Sequence, residues 1–159
     1  HTAAAGYCLV ATAKRDMPNV GGRRLLSIVL GTASENARAG ESQKLLNWGY
    51  TAFDGVKLFD AGQAVEDARL WKGQKDALKI GQESAIVVTV PAGSAGKLTT
   101  QVVRKDPLIA PIAKGQSVGS LKVLLGSDAV AEVPLVALED VPEAGFFGRL
   151  WDAIRLWIM

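Results

Sequence analysis

Beyond Phe53 the chain is cut by Gly and Pro roughly every ten residues into short runs of β-branched and apolar side chains, which restricts it to a small all-β sandwich or barrel. The hydrophobic period there is two. Ala85-Ile86-Val87-Val88-Thr89-Val90 ends at Pro91 and a Gly-Ser-Ala-Gly turn, and Leu98-Thr99-Thr100-Gln101-Val102-Val103 follows, so the two runs are expected to form a hairpin. A second hairpin is expected from Ser120–Leu125 and Ala129–Val136, which flank the turn signal Gly126-Ser127-Asp128. Pro134 within the latter run predicts an edge or a bulge, because proline cannot donate to a ladder.

The first fifty residues have a different texture. Tyr7–Ala13 and Leu25–Leu30 read as antiparallel strands joined by a long loop, Lys14 to Gly22. Ser34 is placed to cap a helix that carries Ala37, Leu45, Leu46 and Trp48 and stops at Gly49. Two strands and one helix bury too little apolar surface to stand alone, and the leading strand offers an open edge, so this part reads as the remnant of a larger domain. Trp48 and Trp71 read as packing residues, Cys8 as a small apolar filler, and Ser42 as an ordinary helix residue.

After Val141-Pro142-Glu143-Ala144-Gly145 the period becomes helical. Phe147, Leu150, Trp151, Ile154, Trp157 and Ile158 form one stripe, with Phe146 beside it, while Arg149, Asp152 and Arg155 lie off it. A helix this short falls below the about twenty residues needed to span hydrocarbon, but its Trp, Phe and Arg suit one lying in the interface plane. The competing reading is a terminal helix docked on protein.

The 159 residues, 48% hydrophobic and 21% charged, give one ordinary domain's worth of globular chain. A net charge of +2, with basic and acidic residues interleaved, argues against nucleic acid as a partner. One cysteine and one histidine provide neither an internal disulfide nor a metal cluster, and no cofactor motif is present. A Ser-His-Asp triad would need His1, which has nothing upstream to orient it. From the residues alone the reading is a β-rich domain with a surface-seeking tail.

Several fragments, in register, carry more. They are His1-Thr2 with Ala5-Gly6-Tyr7 and Leu9-Val10-Ala11; Arg24-Leu25-Leu26 with Val29-Leu30-Gly31; and Arg38-x-x-Glu41-Ser42 with Lys44-Leu45-Leu46-x-Trp48-Gly49. Pro134-Leu135-Val136 and Gly145-Phe146-Phe147-Gly148-Arg149 complete the set. Together they resemble the low-molecular-mass penicillin-binding proteins, the serine-type D-alanyl-D-alanine carboxypeptidases, in which His-Thr continues the Lys-Thr-Gly strand.

The resemblance implies an α+β remnant of a transpeptidase/β-lactamase-like domain (residues 1–52), a small all-β sandwich-like domain (53–142) and a C-terminal amphipathic membrane-associating helix (143–159). It implies a C-terminal portion of an enzyme that removes the terminal D-Ala from peptidoglycan pentapeptide stems through a serine acyl-enzyme, the serine also being acylated by β-lactams. The Ser-x-x-Lys, Ser-x-Asn and Lys-Thr-Gly elements would precede His1, so the chain holds no catalytic residue and is expected to be inactive alone. His1 and Thr2 would line the cleft, and Arg38 would help hold the substrate's terminal carboxylate. Phe146, Phe147, Leu150, Trp151, Ile154, Trp157 and Ile158 would face the membrane, placing the protein in the periplasm, peripheral on the inner membrane. No cofactor or metal is implied. The alternative is a non-catalytic, membrane-tethered β-domain that binds a protein or glycan.

Overall fold

The computed structural model of the chain describes residues 4–18 and 20–158; for Phe147, Arg149, Ile154, Leu156 and Ile158 it describes the backbone only. The protein is mostly β and divides into two compact units. One comprises the chain up to Val56 together with Thr89–Gly96; the other comprises Lys57–Val88 and the chain from Lys97 onward.

In the first unit β1 (Tyr7–Met17) and β2 (Gly21–Thr32) form an antiparallel pair, and α1 (Glu35–Thr51) packs against it. The hairpin is longer than the sequence suggests. Lys14 pairs with Arg24, Arg15 with Arg23, Asp16 with Gly22 and Met17 with Gly21, so most of the expected loop is ladder. The glycines explain the difference: Gly21 supplies the φ of +85° at the turn, while Gly22 leaves room for the end of Lys14, whose Cε would lie 2.2 Å from an added Cβ.

Ser34 caps α1 as expected, its Oγ accepting from the Ala37 N–H at 3.1 Å. The helix runs past Gly49 to Thr51, and the Ala52 N–H closes it on the Trp48 carbonyl at 2.7 Å. Gly49 is therefore a contact residue rather than a stop, because a Cβ there would meet Leu25 Cδ1 at 2.8 Å. Buried Tyr50 fastens the last turn by donating its hydroxyl to the Ala13 carbonyl at 2.7 Å, with the Arg15 guanidinium 4.3 Å from its ring centre. Also in this unit, the Ala92 N–H donates to the Ala52 carbonyl at 2.9 Å and the Gly93 N–H to Asp54 Oδ2 at 2.8 Å.

β3 (Phe53–Phe59) pairs with β6 (Ile86–Pro91), and both strands run through the division between the units. The expected hairpin between the 85–90 and 98–103 runs does not form. A 3₁₀ turn at Ala95–Lys97 separates β6 from β7 (Leu98–Arg104), and β7 pairs instead with β9 (Ser117–Leu125). Alternation fixed the strands, but the turn after Pro91 does not return the chain beside itself.

The second unit is built on a six-stranded sheet of order β7-β9-β10-β5-β4-β8, where β4 is Ala64–Trp71, β5 Ala77–Gly81, β8 Leu108–Ile109 and β10 Asp128–Ala137. Neighbours are antiparallel except β8, which lies parallel to β4 through Leu70 with Leu108. The β9–β10 hairpin forms as expected, with Asp128 opposite Leu125. Pro134 pairs with Ser120 on one side, just before a register shift at Leu135/Val136, and β5 takes up pairing only from Val136. Leu78, Ile80, Leu121, Val123 and Leu135, all fully buried, alternate inward along their strands to make the core.

Ion pairs tie this unit's surface. Arg104 donates to Asp106 Oδ1 at 2.9 Å and to Glu66, which hold its guanidinium above the ordinary value, Asp106 more than Glu66. Lys75 donates to Glu139 and holds that carboxyl below its ordinary value of 4.5. A carboxyl depressed in the folded state stabilises above its unfolded pKa and loses that contribution as pH falls through the folded one. Glu139→Gln is accordingly expected to cost less than about 1 kcal/mol at neutral pH, the loss shrinking with added salt and vanishing in acid, as measured by urea unfolding across pH.

Candidate functional site

Arg38 stands one turn into α1, where the dipole disfavours a cation without an anion nearby. Glu35 supplies that anion. Its Oε1 accepts from Arg38 Nη2 at 2.7 Å, while Nη1 donates to the Cys8 carbonyl at 3.3 Å and the guanidinium lies 5.9 Å from the Tyr7 ring centre. The side chain is 28% exposed, so the fork is held at the start of β1 and still reaches solvent. An incoming carboxylate would meet a positioned guanidinium and compete with a far more exposed Glu35. The sequence reading missed Glu35, although an acid three residues before an arginine on a helix is a readable signal. His1 and Thr2, expected to line a cleft with Arg38, lie outside the described residues. Cys8 is half-buried, its thiol 3.5 Å from the Ala5 carbonyl.

The face of β1–β2 turned away from α1 is apolar and uncovered among the described residues. Val10, Leu26, Ile28 and Leu30 are between 58% and 69% exposed, and the register places Thr12 opposite Leu26 and Val10 opposite Ile28. Large apolar side chains exposed side by side on one sheet face mark an interaction surface. A groove of about 340 Å³ in the same unit is lined by Arg23, Leu25, Leu45, Trp48 and Phe53, among others. Trp48, expected to be a packing residue, is 57% exposed with its ring edge-on to Phe53 at 5.5 Å, whereas Trp71 is buried. Ser42 Oγ is buried with no hydrogen-bond partner among the described residues.

Two stretches spell acyl-transferase motifs without forming a site. Ser94-Ala95-Gly96-Lys97 has the letters of Ser-x-x-Lys but lies at a 3₁₀ turn with an exposed lysine. Ser34-Glu35-Asn36 has those of Ser-x-Asn, yet the Ser34 hydroxyl is spent on the helix cap. No group of three or more His, Cys, Asp and Glu that could hold a metal ion occurs among the described residues.

In the second unit the terminal helix α2 (Phe146–Ile158) leaves Phe146, Leu150, Trp151 and Trp157 exposed. The Phe147, Ile154 and Ile158 side chains, expected on the same stripe, lie outside the described residues. No described helix is long and apolar enough to cross a membrane.

Known proteins match this chain along most of its length. Residues 53–143 match the family described as penicillin-binding protein 5, C-terminal domain. The chain is 38% identical over 156 residues to D-alanyl-D-alanine carboxypeptidase DacC of Escherichia coli (strain K12), covering 98% of itself and 38% of that protein. It is 35% identical over 159 residues to D-alanyl-D-alanine carboxypeptidase DacA of Haemophilus influenzae, covering 99% of itself and 39% of the relative. A crystal structure of penicillin binding protein 5 from Haemophilus influenzae superposes with a TM-score of 0.79 at 34% identity, over 90% of this chain and 41% of that one. The chain thus spans well under half the length of these relatives.

Proposed function

From the premise that this chain belongs to the penicillin-binding protein 5 C-terminal domain family, we propose that it is the C-terminal portion of a D-alanyl-D-alanine carboxypeptidase. Residues 1–52 would be the end of the peptidase domain, 53–142 the β-domain, and 143–159 an amphipathic helix that rests on a membrane. The enzyme would remove the terminal D-Ala from peptidoglycan pentapeptide stems, and would be acylated by β-lactams, through a serine supplied outside this stretch. It would work in the periplasm, peripheral on the inner membrane.

One observation carries the reading of the first unit: the uncovered face of Val10, Leu26, Ile28 and Leu30, which fits a sheet that continues into a further protein layer. Arg38 supports a role in binding a carboxylate, because its fork is preorganised by Glu35 and the Cys8 carbonyl and yet reaches solvent. His1 and Thr2 would extend the strand along which substrate pairs.

Fluorescent-penicillin labelling tests the proposal. A form extended toward the N-terminus to the length of the relatives is expected to be labelled covalently, and this chain alone is not; an extended form that stays unlabelled defeats the reading. In the extended form, without penicillin, Arg38→Ala is expected to lower kcat/KM on a D-Ala-D-Ala peptide about 10–100-fold, the loss of one charge-assisted hydrogen bond. Arg38→Lys should recover little of it, since a point charge does not replace a fork.

A further inference from the structure

Lys72, directly after β4, has a φ of 59°, and it is the only residue besides glycine with positive φ among the described residues. That conformation costs a side-chain-bearing residue energy and persists only where its surroundings fix it. Here both backbone groups of Lys72 are engaged by the C-terminal segment. Its N–H donates to Asp152 Oδ2 on α2 at 2.6 Å, across 80 residues, and its carbonyl accepts from the Ala144 N–H at 2.8 Å. The Gln74 N–H donates to the Pro142 carbonyl at 3.1 Å, and Gly73 bridges Glu143, so the lead into the helix is fixed as well.

Asp152 is the single acid of α2. At about 100° per residue it lies between roughly 100° and 160° around the helix from Phe146, Leu150, Trp151 and Trp157. The hydrogen bond to Lys72 therefore holds Asp152 against the β-domain and fixes the rotation of α2, leaving Trp151 and Trp157 exposed and Phe146 and Leu150 exposed at the rim of a groove of that domain. It also withdraws the helix's one carboxylate from the outward surface, where Arg155 lies 5.3 Å from the Trp151 ring centre. A cation over tryptophan, with the acid turned inward, suits an anionic lipid surface. The apolar surface does not stop at the helix. A groove of about 420 Å³ is lined by Lys72, Ile109, Ala110, Glu143, Phe146 and Leu150, and exposed Ile109 of β8 continues the surface begun by Phe146 and Leu150.

We propose that Asp152 is a positioning residue that latches α2 to the Lys72 backbone, so that Ile109 and the exposed side of α2 meet an anionic lipid bilayer as one surface. This rests on the membrane-associating reading of α2 given above. The latch makes the helix a fixed foot for the β-domain instead of a loose tether.

The test uses the whole chain with Cys8→Ser and an environment-sensitive fluorophore on Ile109→Cys, mixed with phosphatidylglycerol-containing vesicles doped with brominated lipid. Quenching of the probe is expected in the parent and in Asp152→Asn, whose amide oxygen still accepts the Lys72 N–H. It should be lost in Asp152→Ala while the pelleted fraction stays the same. Pelleting with an unquenched probe in the parent, equal quenching in Asp152→Ala, or loss of quenching in Asp152→Asn would each overturn the latch and leave the membrane reading standing. Failure of the parent to pellet would defeat that reading, and the latch with it.

Discussion

Leu121→Ala is expected to destabilise the β-domain by about 2–5 kcal/mol, seen as a lower urea midpoint of Trp71 fluorescence. The side chain is fully buried on β9, which is bonded on both sides: residue 121 faces Val102 of β7 and Val133 of β10. A strand held by two ladders cannot move inward to fill the space a leucine leaves without breaking hydrogen bonds. The cost therefore includes a cavity as well as lost transfer energy. Val130→Ala, on the exposed end of the same hairpin, should change the midpoint little. A shift of similar size at both positions would mean that the sheet does not carry this unit's stability.

The second large effect is expected at a glycine with an unremarkable backbone. Gly119→Ala should cost about 1–3 kcal/mol, because the new methyl would lie 2.5 Å from the Val103 carbonyl oxygen and 2.8 Å from Arg104 Cβ. The first is a backbone atom of the paired strand and cannot rotate aside. Gly119 pairs with Arg104, so relief of the clash would draw that residue from Glu66 and Asp106 and loosen the ion pairs as well. Gly96→Ala provides the contrast, since nothing lies within 4 Å of its added carbon and its φ is unexceptional; it is expected to be neutral or slightly stabilising. Thermal unfolding of the two variants side by side distinguishes a packing role for Gly119 from a generic preference for glycine.

Local chemistry was readable and distant pairing was not. Gly126-Ser127-Asp128 announced the β9–β10 hairpin because two-residue and three-residue turns leave a strong mark in sequence. Ser34 announced the start of α1 because a cap satisfies backbone donors within three residues. The partner of β7 was misread for the opposite reason: a strand's alternation says which face is buried but not which neighbour it takes, and β9 is closer in space than β6. Gly49 was read as a helix stop although its use is to let the helix approach Leu25, a fact that belongs to β2 and not to the helix. For the candidate site, Arg38 stood out through the resemblance, whereas Lys72 and Asp152 did not, since neither position is unusual until the chain brings them together across 80 residues.

The interleaving of the two units bears on how such a protein can descend. Residues 89–96 belong with the first unit although they lie within the stretch 53–143 that matches the family. Lifted out by recombination as a cassette, that stretch would carry away the Ala92 N–H and leave the Ala52 carbonyl bare at the end of α1. No single cut on either side of it preserves both parts, so exchange between lineages should favour transfers that take both units whole.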